Sequence, residues 1–549
     1  MEAYRDPTEI EHPVPPHRLA LRIAIGCFLL TLVAQLIAPF TDNQGANLGT
    51  AVFGILGLLI GWIAWVRNSP SWIVAFIPVF IFGGLVVVGS CFFRFVGFSG
   101  ELVPHFNWRF SPFVELPEMD EPSPTDARKE SPEHDNLEQS RGLPIESGFP
   151  EFLGPGRRAF LPKRDFSDDW VANPPEVLWK QAIGPGWSGF AIRGEQAITM
   201  EQRGGEEWTT CYRITDGKML WRYAFAAYHY HALGGEGPRA TPTIFGDRVY
   251  AQGATGILVC LTLNGELIWQ LDLLSLIGQS QLEAESGVSW GRSGSPLVFQ
   301  NQVVVPLGGG DEQATSLIAL DAATGEELWR EGDDQISYAS PLLATVAGRQ
   351  QILSVNESTA SGHDPETGRK LWEYTWEGKS NGGASVSQPM PVGDDRILLS
   401  KGYGGGGAII RLVASKNGLT PELVWHFSNV LKTKFTNTVI IGEHGYALSD
   451  GTLECVDLQE GKSLWKQPRR GRYGQGQLIG VEDMLIVLSE DGEVALVKAQ
   501  SDAYEELARI PVLSGTTWNT LALSDRYLLI RNSQEAACLR LPVKEVNEK

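Results

Sequence analysis

Twelve residues in the C-terminal two-thirds of the chain have types that could do chemistry. Each lies in a loop leading into a short β run. Trp187 precedes the first run. His229, His231, Glu236 and Arg239 precede the second, Trp290 and Arg292 the third, and Tyr338 the fourth. Lys434, Arg472 and the pair Trp518-Asn519 precede the sixth to eighth. Aromatic rings and positive charge converging on one mouth suit a planar, anionic ligand. Two other outcomes compete with this: the residues plug a channel and bond to one another, or they form a face that docks a protein. His229-x-His231 sets two imidazoles on one face of an extended segment, and Glu236 would complete a trio able to hold zinc. Two histidines at this spacing with no third nearby are weak grounds, so no metal is expected.

No catalytic set is expected either. Serines are many and histidines few, and no Ser/His/Asp order is defensible. His363, inside a turn, and His426, after a Trp, read as surface residues. The glycine runs 402–407 and 308–310 are not followed by Lys-Ser/Thr, so they read as hairpin turns or a bulge rather than phosphate loops.

A repeat must position these loops. Its clearest copy is Ala319-Leu-Asp321-Ala-Ala-Thr324-Gly325-Glu-Glu-Leu-Trp329. A strand ends at Asp321, whose side chain can bond the turn backbone, Gly325 supplies a positive φ, and a second strand carries Trp329. Further copies end at Trp221, Trp269, Trp372, Trp425 and Trp465, and a weak one ends at Leu507. Successive Trp residues are 40 to 60 positions apart, which suits four-stranded propeller blades. Eight inner strands can be read, but outer strands after a repeat turn number seven. Trp179, in Val177–Lys180, has no hairpin before it. The expected fold is therefore an all-β, eight-bladed propeller whose first strand pairs with Ala536–Leu541 to close the last blade. Trp179, Trp221, Trp269, Trp329, Trp372, Trp425 and Trp465 are expected to be structural. Cys211, Cys260, Cys455 and Cys538 occupy the position of Ala319 and read as buried small side chains; Cys27 and Cys91 lie in apolar runs.

The N-terminal part differs. After a polar segment at residues 1–18, three apolar runs, Leu19–Phe40, Leu48–Val66 and Trp72–Phe93, have the length of membrane-spanning helices. Residues 19–93 are thus expected to be a three-helix membrane anchor ahead of the propeller, and 94–147 an acidic, Pro-rich linker. The propeller occupies 148–549. The Lys/Arg distribution favours a cytoplasmic N-terminus, a multi-pass protein of the inner (plasma) membrane, and a propeller in the periplasm or cell exterior. A net charge of −20 argues against nucleic-acid binding.

The repeat Ala-x-Asp-x-x-Thr-Gly-x-x-x-Trp resembles the tryptophan-docking repeat of pyrroloquinoline-quinone-type eight-bladed propellers, over about Gly154 to Val543. Gly154-Pro-Gly156-Arg157 and Ser293-Gly-Ser-Pro296 resemble a membrane-anchored branch of that family. The resemblance implies either a quinoprotein dehydrogenase or a cofactor-free scaffold of outer-membrane protein assembly, in a mainly periplasmic family. The chain has no Cys-Cys pair, no Cys-x-x-Cys-His haem motif and no recognisable stretch carrying the catalytic aspartate. The expected function is therefore a binding scaffold for an envelope protein or ligand near the membrane, with no cofactor. The alternative is a dehydrogenase using pyrroloquinoline quinone with Ca²⁺. In it Arg239 or Arg292 would pair the quinone carboxylates and Glu236 would serve as base or calcium ligand.

Overall fold

A computed structural model describes residues 87–110, 148–309, 314–415 and 418–543, with scattered positions between 59 and 84. The chain forms two compact units, Met1–Phe113 and Val114–Lys549.

The first unit corrects the expected membrane anchor. Among the described residues, no helix is long and apolar enough to cross a membrane. The run Leu19–Phe40 lies outside the described residues, as does most of Leu48–Val66. In the third run the longest uninterrupted described helix covers residues 87–92. At Phe93 the chain turns to β, and Phe93–Phe98 pairs antiparallel with Pro104–Trp108. Aromatic packing accompanies this hairpin: Trp108 stacks on Phe92 at 5.5 Å and meets Phe93 edge-on at 5.3 Å. Hydropathy counts these rings as apolar in any conformation, whereas their packing favours paired strands. The expected linker stretch 111–147 lies outside the described residues.

The second unit contains eight blade sheets, each built on four antiparallel strands. The innermost strands are Ala191–Arg193, Thr243–Phe245, Leu297–Phe299, Leu342–Val346, Met390–Val392, Val439–Ile441, Gln477–Val481 and Ala522–Ser524. The ring closes as the sequence indicates. Glu176–Ala182 is the outer strand of the eighth blade and pairs with Glu535–Arg540. The last sheet thus takes strands from both ends of the unit, which removes two exposed edges.

The repeat unit explains the stacking of blades. In the third strand of a blade a small residue faces the Trp of the fourth: Cys211 faces Trp221, Cys260 faces Trp269, Ala319 faces Trp329, Cys455 faces Trp465 and Cys538 faces Trp179. These four cysteines are buried and free. The Trp then reaches the next blade. Trp179, Trp221, Trp269, Trp425 and Trp465 donate Nε1–H to carbonyls of Ile214, Leu263, Ala322, Leu458 and Gln500. Trp329 and Trp372 donate instead to Gln302 and Gln351 of their own blades. The ring of Trp269 lies under the turn glycine of the following blade. A Cβ on Gly325 would sit 2.9 Å from that ring, and Gly325 has φ +76°. Glycine is therefore required twice over, for conformation and for room. Asp321 Oδ1 accepts the backbone N–H groups of Ala323 and Thr324 at 2.8 and 2.9 Å.

One feature has no repeat signal. Residues 148–161 cross the end of the channel where the inner strands finish. Gly148–Phe149 adds to the first blade and Phe160–Leu161 to the seventh, in parallel. Between them Arg157, 1% exposed, donates to Ser295 O and Pro341 O at 3.0 Å each, and pairs with Glu151 at 2.8 Å. Leu153, Gly154, Gly156, Arg157 and Ala159 all have positive φ. For Leu, Arg and Ala this conformation costs of order 1 kcal/mol each, which the bonds to several blades offset. The segment closes that end of the channel and holds neighbouring blades together.

Two stability tests follow from the docking and the closure. Trp329→Ala should destabilise the propeller by ~3–5 kcal/mol in denaturant unfolding; a loss below 1 kcal/mol would show that the ring does not carry inter-blade packing. Deleting residues 170–182 should abolish the cooperative thermal transition, and a deletion protein that melts cooperatively at the parent temperature would contradict the closure role.

Candidate functional site

The loops entering the inner strands surround a cavity of about 210 Å³. Of the twelve sequence candidates, Trp187, Arg239, Trp290, Tyr338 and Trp518 line it. The rings form an arc: Trp187 to Trp518 at 4.7 Å, Trp518 to Phe435 at 5.0 Å, Phe435 to Trp290 at 6.5 Å, and Trp290 to His231 at 4.7 Å. Phe152, from the segment that closes the other end of the channel, also lines the cavity, which is therefore a cup rather than a through channel.

The helix Gln281–Gly287 precedes the Trp290 loop. It starts with a capping box in which Ser280 and Glu283 satisfy one another's backbone N–H groups. The Trp187 loop is braced from the eighth blade. Asn519 donates to Gly186 O and Ser188 O at 3.0 and 2.9 Å, and buried Arg531 donates to Gly184 O and Met200 O at 2.8 Å each.

The cup's polar atoms are largely engaged already. Arg239 donates to the carbonyls of Gly234, Gly235, Glu236, Gly237 and Trp290. Burial pushes its guanidinium down to about 10. Ser293 and Ser380 donate to Tyr338 O and Ile336 O. Asn437 and Thr241 accept the backbone N–H groups of Gln388 and Gly189. Gln477 bonds Phe435 O and Trp518 O at 2.8 Å each. What the cup offers a ligand is ring face and ring edge. Among the described residues, only Tyr403 Oη and Trp290 Nε1 on its aromatic wall lack a hydrogen-bond partner.

The remaining sequence candidates lie elsewhere. His229 is 1% exposed behind the loop, and among the described residues neither ring nitrogen makes a well-formed hydrogen bond. Burial, followed by Arg239, pushes it down to about 4, so it is neutral. His231 Nδ1 accepts from the backbone of Leu233 and Gly234. Glu236 accepts Tyr228 Oη–H at 2.8 Å. The His229, His231, Glu236 trio is therefore not assembled, and among the described residues no three His, Cys, Asp or Glu side chains are placed to hold an ion. Arg292 is buried outside the cup and lines a separate small cavity. Lys434 is buried and pairs with Asp450 at 3.6 Å. Arg472 is half-buried and does not line the cup. His363, expected at the surface, is fully buried and bonds Gly368 O and Ser361 Oγ, because its strand is the third of a blade, packed on both faces.

Sequence reasoning missed Phe152, Phe435, Tyr403 and the Ser380–Gly382 loop. Phe435 adjoins Lys434, and Tyr403 interrupts the glycine run of a hairpin turn, so each carried a local hint. Phe152 carried none.

A quinone with carboxylates and a calcium ion finds no complement in this lining. No Asp or Glu lines the cup, and its one cation, Arg239, has its donors engaged with backbone carbonyls.

Fold and site together define a tryptophan-docked, eight-bladed propeller with one closed end. The family model described as outer membrane protein assembly factor BamB matches residues 173–288 and 205–467, together more than half of the chain, and the chain belongs to this family. Quinohemoprotein alcohol dehydrogenase ADH IIB of Pseudomonas putida is 25% identical over 233 residues, 38% of this chain and 29% of that protein. The chain thus matches less than a third of that relative's length. Among solved structures, a europium-containing methanol dehydrogenase matches with TM-score 0.51 and 9% identity, covering 72% of this chain and 98% of its own. The quinohemoprotein alcohol dehydrogenase of Comamonas testosteroni matches with TM-score 0.51 and 11% identity, covering 73% and 82%. BamB from Moraxella catarrhalis matches with TM-score 0.47 and 16% identity, covering 68% and 99%. At these identities the likeness concerns the fold alone.

Glu207, fully buried, accepts Ala254 N–H at 3.1 Å, and burial pushes its carboxyl up to about 7 from 4.5. Between those values the native state keeps a proton that the unfolded chain has released, so this group's contribution to stability falls as pH rises from 4.5 to 7. Glu207→Gln should flatten that slope. Relative to the variant, the parent should lose up to about 3 kcal/mol between the two ends of that window in urea titrations; identical slopes would contradict the shift.

Proposed function

We propose that the propeller is a binding module of the cell envelope whose cup receives an uncharged aromatic or aliphatic side chain of a protein partner. The observation that carries this reading is the state of the lining. Its polar groups are bonded to the ring itself, while an arc of rings faces the cavity. Transfer of an apolar side chain into such a cup removes apolar surface from water at about 25 cal/mol per Å². The unpartnered Trp290 Nε1–H and Tyr403 Oη–H would orient an acceptor on the incoming group. Membership of a family described as an outer membrane protein assembly factor supports a protein partner in the envelope.

The likeness to quinoprotein dehydrogenases supports a second reading, in which pyrroloquinoline quinone and Ca²⁺ occupy the channel. The lining residues do not supply the charges that this requires, and we derive no reaction from it.

Thermal unfolding with two probes separates the readings. N-acetyl-tryptophan amide should raise the melting temperature saturably, and Trp518→Ala should remove the effect. Quinone with Ca²⁺ should leave the melting temperature unchanged. A quinone-dependent rise with no response to the indole probe would overturn the proposal.

A further inference from the structure

A second, smaller cavity lies between the Gly253–Gly256 turn and the helix Gln281–Gly287. Its volume is about 10 Å³, room for one water-sized occupant, and its walls include Ala254, Thr255, Glu285, Gly291 and Arg292. Arg292 is 4% exposed. Among the described residues its only hydrogen bond from the guanidinium runs from Nη1 to Pro306 O at 3.2 Å, and Nε has no partner. No carboxylate comes within ion-pair distance of it among the described residues. Asp272 is the carboxylate whose charge reaches it, but that side chain caps the helix Leu273–Leu276 by accepting Leu274 N–H at 3.0 Å and Ser275 Oγ–H at 2.8 Å. Glu285 accepts Gln281 Nε2–H at 3.2 Å.

Thr255 Oγ1 is also buried, and has no partner among the described residues. The turn that carries it is built to lie over the guanidinium. Arg292 N–H donates to Ala254 O at 2.9 Å. Gly256 has φ +100°, and a Cβ there would come within 3.3 Å of Arg292 Nε. An idle N–H of a buried guanidinium and an idle hydroxyl, both in the lining of one cavity, leave a desolvation cost that neither group recovers from the protein. An occupant that accepts from both and carries negative charge would recover it.

We propose that this cavity holds a single halide-sized anion, bound by Arg292 Nε–H and Thr255 Oγ1–H. The buried positive charge excludes a cation. The size excludes tetrahedral oxyanions such as sulfate and phosphate. Gly291 and Arg292 follow Trp290 directly in the chain, so the anion also steadies the loop that carries Trp290 to the cup.

Bromide tests the site. Crystals of the chain soaked in sodium bromide should show a bromine anomalous peak between Arg292 Nε and Thr255 Oγ1; density without anomalous signal identifies water and overturns the proposal. In solution, replacing gluconate by chloride at constant ionic strength should raise the melting temperature saturably, and replacing it by sulfate should not. Arg292→Met and Thr255→Val should each remove the chloride response. A chloride response that survives in Thr255→Val, or equal responses to chloride and sulfate, would also overturn it. If a variant fails to fold, the bromide peak in the parent protein still decides.

Discussion

The contact on which the rest of the structure depends is an indole ring wedged beneath the turn of the neighbouring blade. A four-stranded blade has two apolar faces and cannot bury either alone. In five blades the Trp reaches the next blade and donates its N–H to a carbonyl there. Where the turn carries a glycine, as at Gly265, Gly325 and Gly368, the ring fits because that glycine leaves room for it. Repeated around the circle, this contact fixes how far each blade is rotated from the last, and hence how many blades the ring holds and how wide its channel is.

Two devices complete what the repeat begins. A strand from the N-terminal end of the unit seals the last blade, and a segment with left-handed residues closes one end of the channel. The second has a functional consequence. A channel open at both ends would offer a hydrated passage, whereas one floored by Phe152 offers a dry-walled cup. The serines, asparagines and glutamines around the cup mainly hold loops to one another, so the chemical identity of the site lies in its rings. Glu201 illustrates the same use of polarity for architecture. It is fully buried yet holds Arg203, Tyr212, Thr210 and the backbone of Gly184. A half-satisfied version of that network would be costlier than an apolar core.

The propeller was legible in the sequence because its signals are local. Asp321, Gly325 and Trp329 act within one hairpin and its neighbour, and the orphan Trp179 betrayed the closing strand. The cup was legible in part. Trp187, Trp290 and Trp518 lie in loops that the repeat already locates. His229 and Arg292 lie in the same loops but turn elsewhere, since position in a loop does not determine the direction of a side chain. The course of the closing segment was not legible because its strands are two residues long and their partners lie in other blades, Phe149 against Ile192 and Phe160 against Gly480. At the end of the third apolar run hydropathy misled because it is silent on conformation: from Phe93 the chain pairs as strands, with its aromatic rings packed on one another.

In the proposed function the cup binds by apolar contact and not by charge. Calorimetric titration of N-acetyl-tryptophan amide at low and high salt measures this directly. Apolar binding predicts a negative heat-capacity change, an affinity that does not weaken with salt, and loss of binding in Trp518→Ala. Absence of binding by the indole probe, or an affinity that falls steeply as salt is raised, would contradict it.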